Sequence, residues 1–185
     1  NSGMWSGSAS YTTPIAKQGE RVGVSYARSH YTLGGTFSAL DYTGTAETVS
    51  VHWQHNFKRS RDVNIYGTVR LDLKSLKDEA KGMAYNNPKS ARNWGFGVNG
   101  DSLDHFWTGG KNTFALHYTH GDLSIDDEMQ RVYDAATTRT AGQFGKWNLE
   151  LTRQQHVSER VSLYLSYQRQ WATKNLDSSE KMSLG

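Results

Sequence analysis

The sequence predicts an all-β chain, an antiparallel meander of about eight transmembrane strands of the barrel type. Three observations carry that expectation. Apolar and polar residues alternate with period two along nearly the whole length, short and long connections alternate, and aromatic residues gather toward the ends of the apolar faces. The low mean hydropathy, −0.73, does not stand against it. A transmembrane helix needs about 20 consecutive apolar residues, and the chain has no such run. A transmembrane strand needs about 9–11 residues, of which only every second one faces lipid.

The elements read in order as follows. Trp5, Ala9 and Tyr11 alternate with Ser6, Ser8, Ser10 and Thr12. After a turn at residues 14–20, Val22, Val24 and Tyr26 alternate with Gly23, Ser25 and Ala27. Val49, Val51, Trp53 and Phe57 oppose Ser50, His52, Gln54 and Asn56. Val63, Ile65, Val69, Leu71 and Leu73 then oppose Asn64, Tyr66, Thr68, Arg70, Asp72 and Lys74. Trp94, Phe96 and Val98 oppose Asn93, Gly95, Gly97 and Asn99. Phe114, Leu116 and Tyr118 oppose Thr113, Ala115, His117 and Thr119. Trp147, Leu149 and Leu151 oppose Asn148, Glu150 and Thr152, and Val161, Leu163, Leu165 and Tyr167 oppose Ser162, Tyr164, Ser166 and Gln168.

The links at 14–20, 58–62 and 156–160 are short. Those at 32–45, 77–92 and 124–144 are long and polar, and 101–112 falls between. A meander sends alternate links to opposite ends of the sheet, so this pattern predicts short turns at one end and long loops at the other. Trp5, Tyr31, Phe57, Trp94, Trp147 and Trp171 are expected on the apolar face near strand ends, where membrane girdles sit. A soluble β-sandwich or lipocalin-like, ligand-binding barrel also alternates. It needs an apolar set to fill a small core, whereas here the second face carries Arg, Asp, Lys, Glu, Gln and Asn near mid-strand.

On the alternation, His52, Gln54, Asn64, Arg70, Asp72, Lys74, Asn99, His117, Glu150, Gln154, Gln168 and Gln170 point to the polar interior. A wall of mixed charge can hydrogen-bond an extended passing chain without gripping it, and it also suits any wet pore. No catalytic constellation is legible and no cofactor is implied. The chain contains no Cys, which excludes disulfides and thiolate metal sites, and the seven His do not fall at metal-ligand spacings. Asp126-Asp127-Glu128 resembles a calcium cluster but lacks the loop spacing and glycine that calcium requires. The net charge of +3 comes from scattered basic residues, with no stripe of the kind nucleic-acid binding needs. Gly95 and Gly97 read as interior glycines that leave room for a plug or loop against the wall. The chain opens at Asn1 with no secretory signal and closes at Gly185 in a polar stretch, and both ends read as cuts in a longer protein.

Three stretches are more specific than any alternation. Residues 171–185 read Trp-Ala-Thr-Lys-Asn-Leu-Asp-Ser-Ser-Glu-Lys-Met-Ser-Leu-Gly. Ser25-Tyr26 leads through Tyr31-Thr32-Leu33-Gly34-Gly35 to Phe37, Ala39-Leu40-Asp41 and Gly44. Arg139-Thr140-Ala141-Gly142 is followed by Phe144 and Lys146. Together they resemble the two-partner secretion transporters of the ShlB/FhaC/HecB haemolysin-activator type (TpsB), in the Omp85 superfamily. The resemblance implies a sixteen-stranded barrel in the outer membrane of a Gram-negative bacterium, preceded by a plug helix and two POTRA domains. Such a barrel exports a large TpsA-type exoprotein, a haemolysin or adhesin, and is in contact with outer-membrane lipid and lipopolysaccharide. Residues 1–185 would then be a partial barrel domain without the POTRA domains, plug helix and closing strands. The family's Val-Arg-Gly-Tyr motif would begin just past Gly185. Lys174, Asn175, Asp177, Ser178 and Glu180 would form the lead into the sixth extracellular loop, which in this superfamily folds back into the barrel. A passive porin, or another Omp85 member that assembles membrane proteins, shares much of the pattern.

Overall fold

The computed structural model describes residues 3–15, 19–32, 42–80 and 85–182. Eight strands follow one another: β1 (Gly3–Pro14), β2 (Arg21–Thr32), β3 (Tyr42–Arg59), β4 (Val63–Ala80), β5 (Tyr85–Asp104), β6 (Gly110–Ile125), β7 (Gly142–Ser158) and β8 (Val161–Ala172). Each pairs antiparallel with the next, so the sheet order is the chain order. Among the described residues a helix, α1 (Glu128–Ala136), lies between β6 and β7, and a 3-10 turn spans Ser178–Glu180.

The register separates the two faces. One transverse row runs Val22, Trp53, Val69, Phe96, Tyr118, Trp147 and Trp171. Trp53, Phe96, Trp147 and Trp171 are exposed, as a lipid-facing band requires, and the Tyr118 and Trp147 rings meet at 4.8 Å. On the opposite face a row runs Gly23, His52, Arg70, Gly95, Thr119, Lys146 and Ala172. The next runs Ser25, Ser50, Asp72, Asn93, Gly121 and Phe144. Bulges at Asn56/Lys58 and His156/Ser158 occur where β3 and β7 reach the short turns. At the first, Phe57 packs on the bare backbone of Gly67 and edge-on to His55.

Two expectations are corrected. The links expected at 32–45, 77–92, 101–112 and 124–144 are shorter than the alternation suggests, because the strands continue. β4 runs to Ala80 and β5 starts at Tyr85, with Lys77 paired to Pro88, and β7 starts at Gly142. At about 3.3 Å per residue, the 20-residue β5 far exceeds an apolar band about 25 Å tall. Beyond that band both faces meet water, so pairing persists while alternation disappears. Pro88 lies just past the ladder with β6, whose final pair is Lys89 with Ile125, and its carbonyl accepts from the Asp126 amide at 3.1 Å. The second correction concerns Tyr31. It lies on the polar face opposite Gly44, its hydroxyl donating to Asp78 at 3.0 Å, because odd-numbered residues of β2 face that side. Trp5, Trp94, Trp147 and Trp171 do lie on the apolar face, although Trp94 sits in the middle of β5.

The only apolar cluster among the described buried residues is small, Ala91, Leu123, Phe144 and Leu176, and it sits on the polar side of the sheet near the long-loop end. Apart from it, most large apolar side chains are on the outside. This inverts a soluble sandwich, whose strands hide their apolar face.

Candidate functional site

The polar residues expected to point inward all fall on one face. Through the register, Gln54 lies across from Thr68, Asn64 from Asp101, Arg70 from His52, Asp72 from Ser50, Lys74 from Ala91, Asn99 from Ala115 and His117 from Asn148. Gln168 and Gln170 face Glu150 and Asn148, and Gln154 faces Tyr164. Local pairs tie many of them to the wall. Arg70 donates to Asp72 at 2.5 Å and Ser50 at 2.8 Å, His117 donates from Nε2 to the Asn99 amide oxygen at 2.7 Å, and Asn64 donates to Asp101 at 3.2 Å. Gln54 donates to Asn56, while the His52 ring lies over the bare backbone of Gly23. Gln154 is exposed.

The region that brings distant elements together is the strap after β8, residues 173–182, which turns back across the polar face. Its first residue continues the sheet: the Thr173 amide donates to the Gly145 carbonyl, and the Gly145 amide donates to Thr173 Oγ1, both at 2.9 Å. Lys174 then donates to the Ala141 carbonyl at 2.5 Å and Asn175 to the Thr138 carbonyl at 2.9 Å. Leu176 drops into the apolar cluster against Ala91, Leu123 and Phe144. Asp177 pairs with Lys89 at 2.7 Å, and its other oxygen accepts from the Ser179 amide and hydroxyl, capping the 3-10 turn on which Ser178 sits.

The turn delivers Glu180 to the wall. Its side chain is 1 % exposed, yet both carboxylate oxygens are held: Oε1 by Lys74 at 2.6 Å and Asn93 at 2.8 Å, Oε2 by Lys146 at 2.7 Å. Lys146 also reaches the Glu180 carbonyl at 2.8 Å, as does Gln170 at 3.2 Å, and Gln170 accepts from the Met182 amide at 3.1 Å. One carboxylate thus joins β4, β5 and β7. A buried carboxylate is tolerable only because two ammonium groups and an amide replace its lost water.

Alternation finds Lys74 and Gln170, and the resemblance finds the strap residues. Neither signal assigns Lys146, Asn93 or Lys89 to the site. The parity of β7 would have found Lys146, which shares its face with Asn148 and Glu150. Lys89 lay inside the link expected at 77–92. Gly97 does not leave room for a loop, since the space beside it holds His117 and Thr68. The glycine that makes room beside the strap is Gly121, where a Cβ would stand 2.3 Å from the Phe144 ring. The stretches at 33–41 and 183–185 that carry part of the family resemblance lie outside the described residues.

The acidic run at 126–128 is a helix start. Asp127 caps α1 by accepting from the Gln130 amide at 2.9 Å, in the Asp-x-x-Gln pattern of a capping box. Among the described residues no three His, Asp or Glu side chains converge as metal ligands would. The far end of α1 is fixed by Asp134, which accepts from the Thr140 and Ala141 amides and the Thr138 and Thr140 hydroxyls. Burial works to raise the Asp134 carboxyl, but those four donors outweigh it and hold it well below the usual carboxylate range. A depressed carboxylate stabilises the fold above its unfolded-state pKa, about 4, and loses that contribution as pH falls through its folded value. Asp134→Ala is expected to cost the loop ~2 kcal/mol. Amide exchange over 128–141 should then quicken at neutral pH, and acidification of the parent protein should reproduce this only below about pH 4. Equal exchange in both proteins would show that Asp134 does not hold the loop.

A sheet with one apolar and one polar face, strands long enough to cross a bilayer, and a chain segment folded back onto the polar side define the wall of a membrane β-barrel with an inserted loop. The profile of the haemolysin secretion/activation protein family ShlB/FhaC/HecB matches residues 1–185, and the chain belongs to that family. It is 23% identical over 178 residues to the heme/hemopexin transporter protein HuxB of Haemophilus influenzae, covering 95% of this chain and 31% of the relative. The protein of the same name from strain 86-028NP gives the same values. The structure of CdiB from Escherichia coli shares the fold with a TM-score of 0.72 at 19% identity, over 94% of this chain and 32% of that one. The chain thus spans about a third of the length of these relatives. Members of the family are outer-membrane barrels of Gram-negative bacteria, and that membrane is where this sheet resides.

Proposed function

We propose that the chain is part of the barrel wall of a two-partner secretion transporter, which moves a large TpsA-type exoprotein of haemolysin or adhesin type across the outer membrane through the lumen. The observation that carries the reading is the strap held against the polar face by Glu180, Lys74, Asn93 and Lys146. A passive pore needs only a wet wall, whereas a charged strap across that wall suits a path opened when cargo arrives. In this reading His52, Arg70, Asp72, His117, Glu150 and Gln168 line the lumen and offer short-lived hydrogen bonds to the passing chain. Lys174, Asn175, Asp177, Ser178 and Glu180 orient the sixth loop. The apolar face meets lipid and lipopolysaccharide. The chain performs no catalysis, uses no cofactor and binds no nucleic acid. In this reading β1 and β8, each paired on one side alone among the described residues, meet further strands of a sixteen-stranded barrel, with POTRA domains and a plug helix elsewhere in the protein.

The test uses the whole transporter. Lys74→Gln together with Lys146→Gln removes the two ammonium partners of Glu180 while leaving the strands paired. Secretion of the cognate exoprotein is expected to fall about tenfold, the effect of ~1.4 kcal/mol. Undiminished secretion from a correctly assembled barrel would remove the strap from the export mechanism. Higher small-solute leakage without any secretion by the parent protein would favour the passive-porin reading.

A further inference from the structure

At the long-loop end of the polar face, three tyrosines form a row. Tyr31 on β2, Tyr42 on β3 and Tyr85 on β5 have ring centroids 6.2 and 6.5 Å apart, with planes 28° and 21° from parallel. Small residues lie between them. Tyr31 pairs with Gly44, where an added Cβ would stand 2.1 Å from the ring, so the ring lies flat on bare backbone. Ala80, 3% exposed, is the register partner of both Tyr42 and Tyr85. Two of the phenol edges are fixed: Tyr31 donates to Asp78 at 3.0 Å, and the Tyr85 oxygen accepts from Asn87 at 3.0 Å. All three residues are partly exposed. Tyr42 and Tyr85 are the first residues of β3 and β5, so this aromatic surface lies past the lipid-facing band and does not serve the membrane.

The spacing points to an occupant. An extended chain rises 3.2–3.4 Å per residue, so alternate side chains on one face are about 6.4–6.8 Å apart. The ring spacings are close to that repeat. We infer that Tyr31, Tyr42 and Tyr85 form a stacking ladder for an extended polypeptide, each ring taking one of the alternate side chains of the chain that passes it. The inference rests on the export reading and adds a binding site to it. Stacking on a flat ring accepts many apolar and aromatic side chains, which suits a long cargo of varied sequence. The ladder also adjoins the strap. Lys89, which holds Asp177, follows Tyr85 and Asn87 on the same face of β5, so a chain leaving the strap region meets the rings next.

The experiment places the whole transporter in a planar bilayer and times the current blockades made by two synthetic 20-residue peptides. One alternates Thr with Phe and the other alternates Thr with Gly. The parent should hold the Thr–Phe peptide about tenfold longer. Tyr31→Ala, Tyr42→Ala and Tyr85→Ala combined should bring the two peptides to equal dwell times. The matching set of Phe substitutions should retain most of the difference, and an unchanged open-pore current verifies assembly of both. Equal dwell times in the parent, or no loss in the triple Ala protein, would overturn the ladder. Blockade by maltohexaose that disappears in the triple Ala protein, without peptide discrimination, would overturn it in favour of a sugar site. Secretion by the parent with no effect of the tyrosines on dwell time removes only the ladder, whereas a parent that exports no exoprotein removes the export reading itself.

Discussion

Glu180→Ala is expected to free the strap. The substitution leaves Lys74 and Lys146 facing each other's charge in a site that admits little water, with side chains 18% and 11% exposed. Removing one partner of a buried ionic cluster costs about 3–5 kcal/mol, because the remaining charges keep their desolvation penalty without compensation. The three contacts of the carboxylate to β4, β5 and β7 disappear together, and the turn keeps the Asp177–Lys89 pair, Leu176 and the bonds that Lys146 and Gln170 make to the strap backbone. Amide exchange at 173–182 should therefore quicken by roughly two orders of magnitude or more while the strand amides of β4–β7 keep their protection. In the whole transporter, mean open-pore current should rise. A strap equally protected in the variant would mean that Glu180 is a passenger. A control separates charge from contact: Glu180→Leu with Lys74→Met and Lys146→Met replaces the ionic cluster by apolar groups of similar size, and protection should largely return.

Phe144→Ala should have a comparable effect by a different route. Phe144 is 3% exposed, and its ring lies over the bare backbone of Gly121 beside Leu123, Ala91 and Leu176. Truncation of a buried Phe costs about 3–5 kcal/mol, the transfer of the ring plus the cavity left behind. Because this cluster is the only apolar anchor of the strap on the polar face among the described residues, the loss falls on strap docking and on the upper end of β7. Exchange should rise at Leu176 and Asp177 and at the first residues of β7, with the Glu180 contacts weakened but not abolished. The same variant combined with Glu180→Ala should give less than the sum of the two effects, since both act through one docked segment. Strict additivity would show that the apolar and ionic anchors hold independent pieces of chain.

The eight strands were legible because a wall between lipid and water imposes opposite demands on alternate residues. Val69, Phe96 and Trp147 against Arg70, Asn99 and Asn148 is that demand written in the chain. The strand ends were not legible. Past the lipid the two faces become alike, so Lys77 pairing with Pro88, or β7 beginning at Gly142, leaves no period-two trace. Tyr31 shows the limit of reading residue type without parity: an aromatic near a strand end looks like a girdle, yet its odd number in β2 places it over Gly44 on the polar face. α1 was hidden in a polar link, although the Asp127-x-x-Gln130 cap was there to be read.

The polar face and the strap divide in the same way. The sequence by itself determined that one face would be polar, that the residues following Trp171 carry a family-like stretch, and that no thiol chemistry is possible. Tertiary structure alone decided that Glu180 meets Lys74, Asn93 and Lys146, which lie between 34 and 106 positions away in the chain. Local propensity sets a residue's face within its own strand. The meeting of charges from β4, β5 and β7 depends on the register of three strand pairs and on a chain that turns back across them, and no local period encodes that.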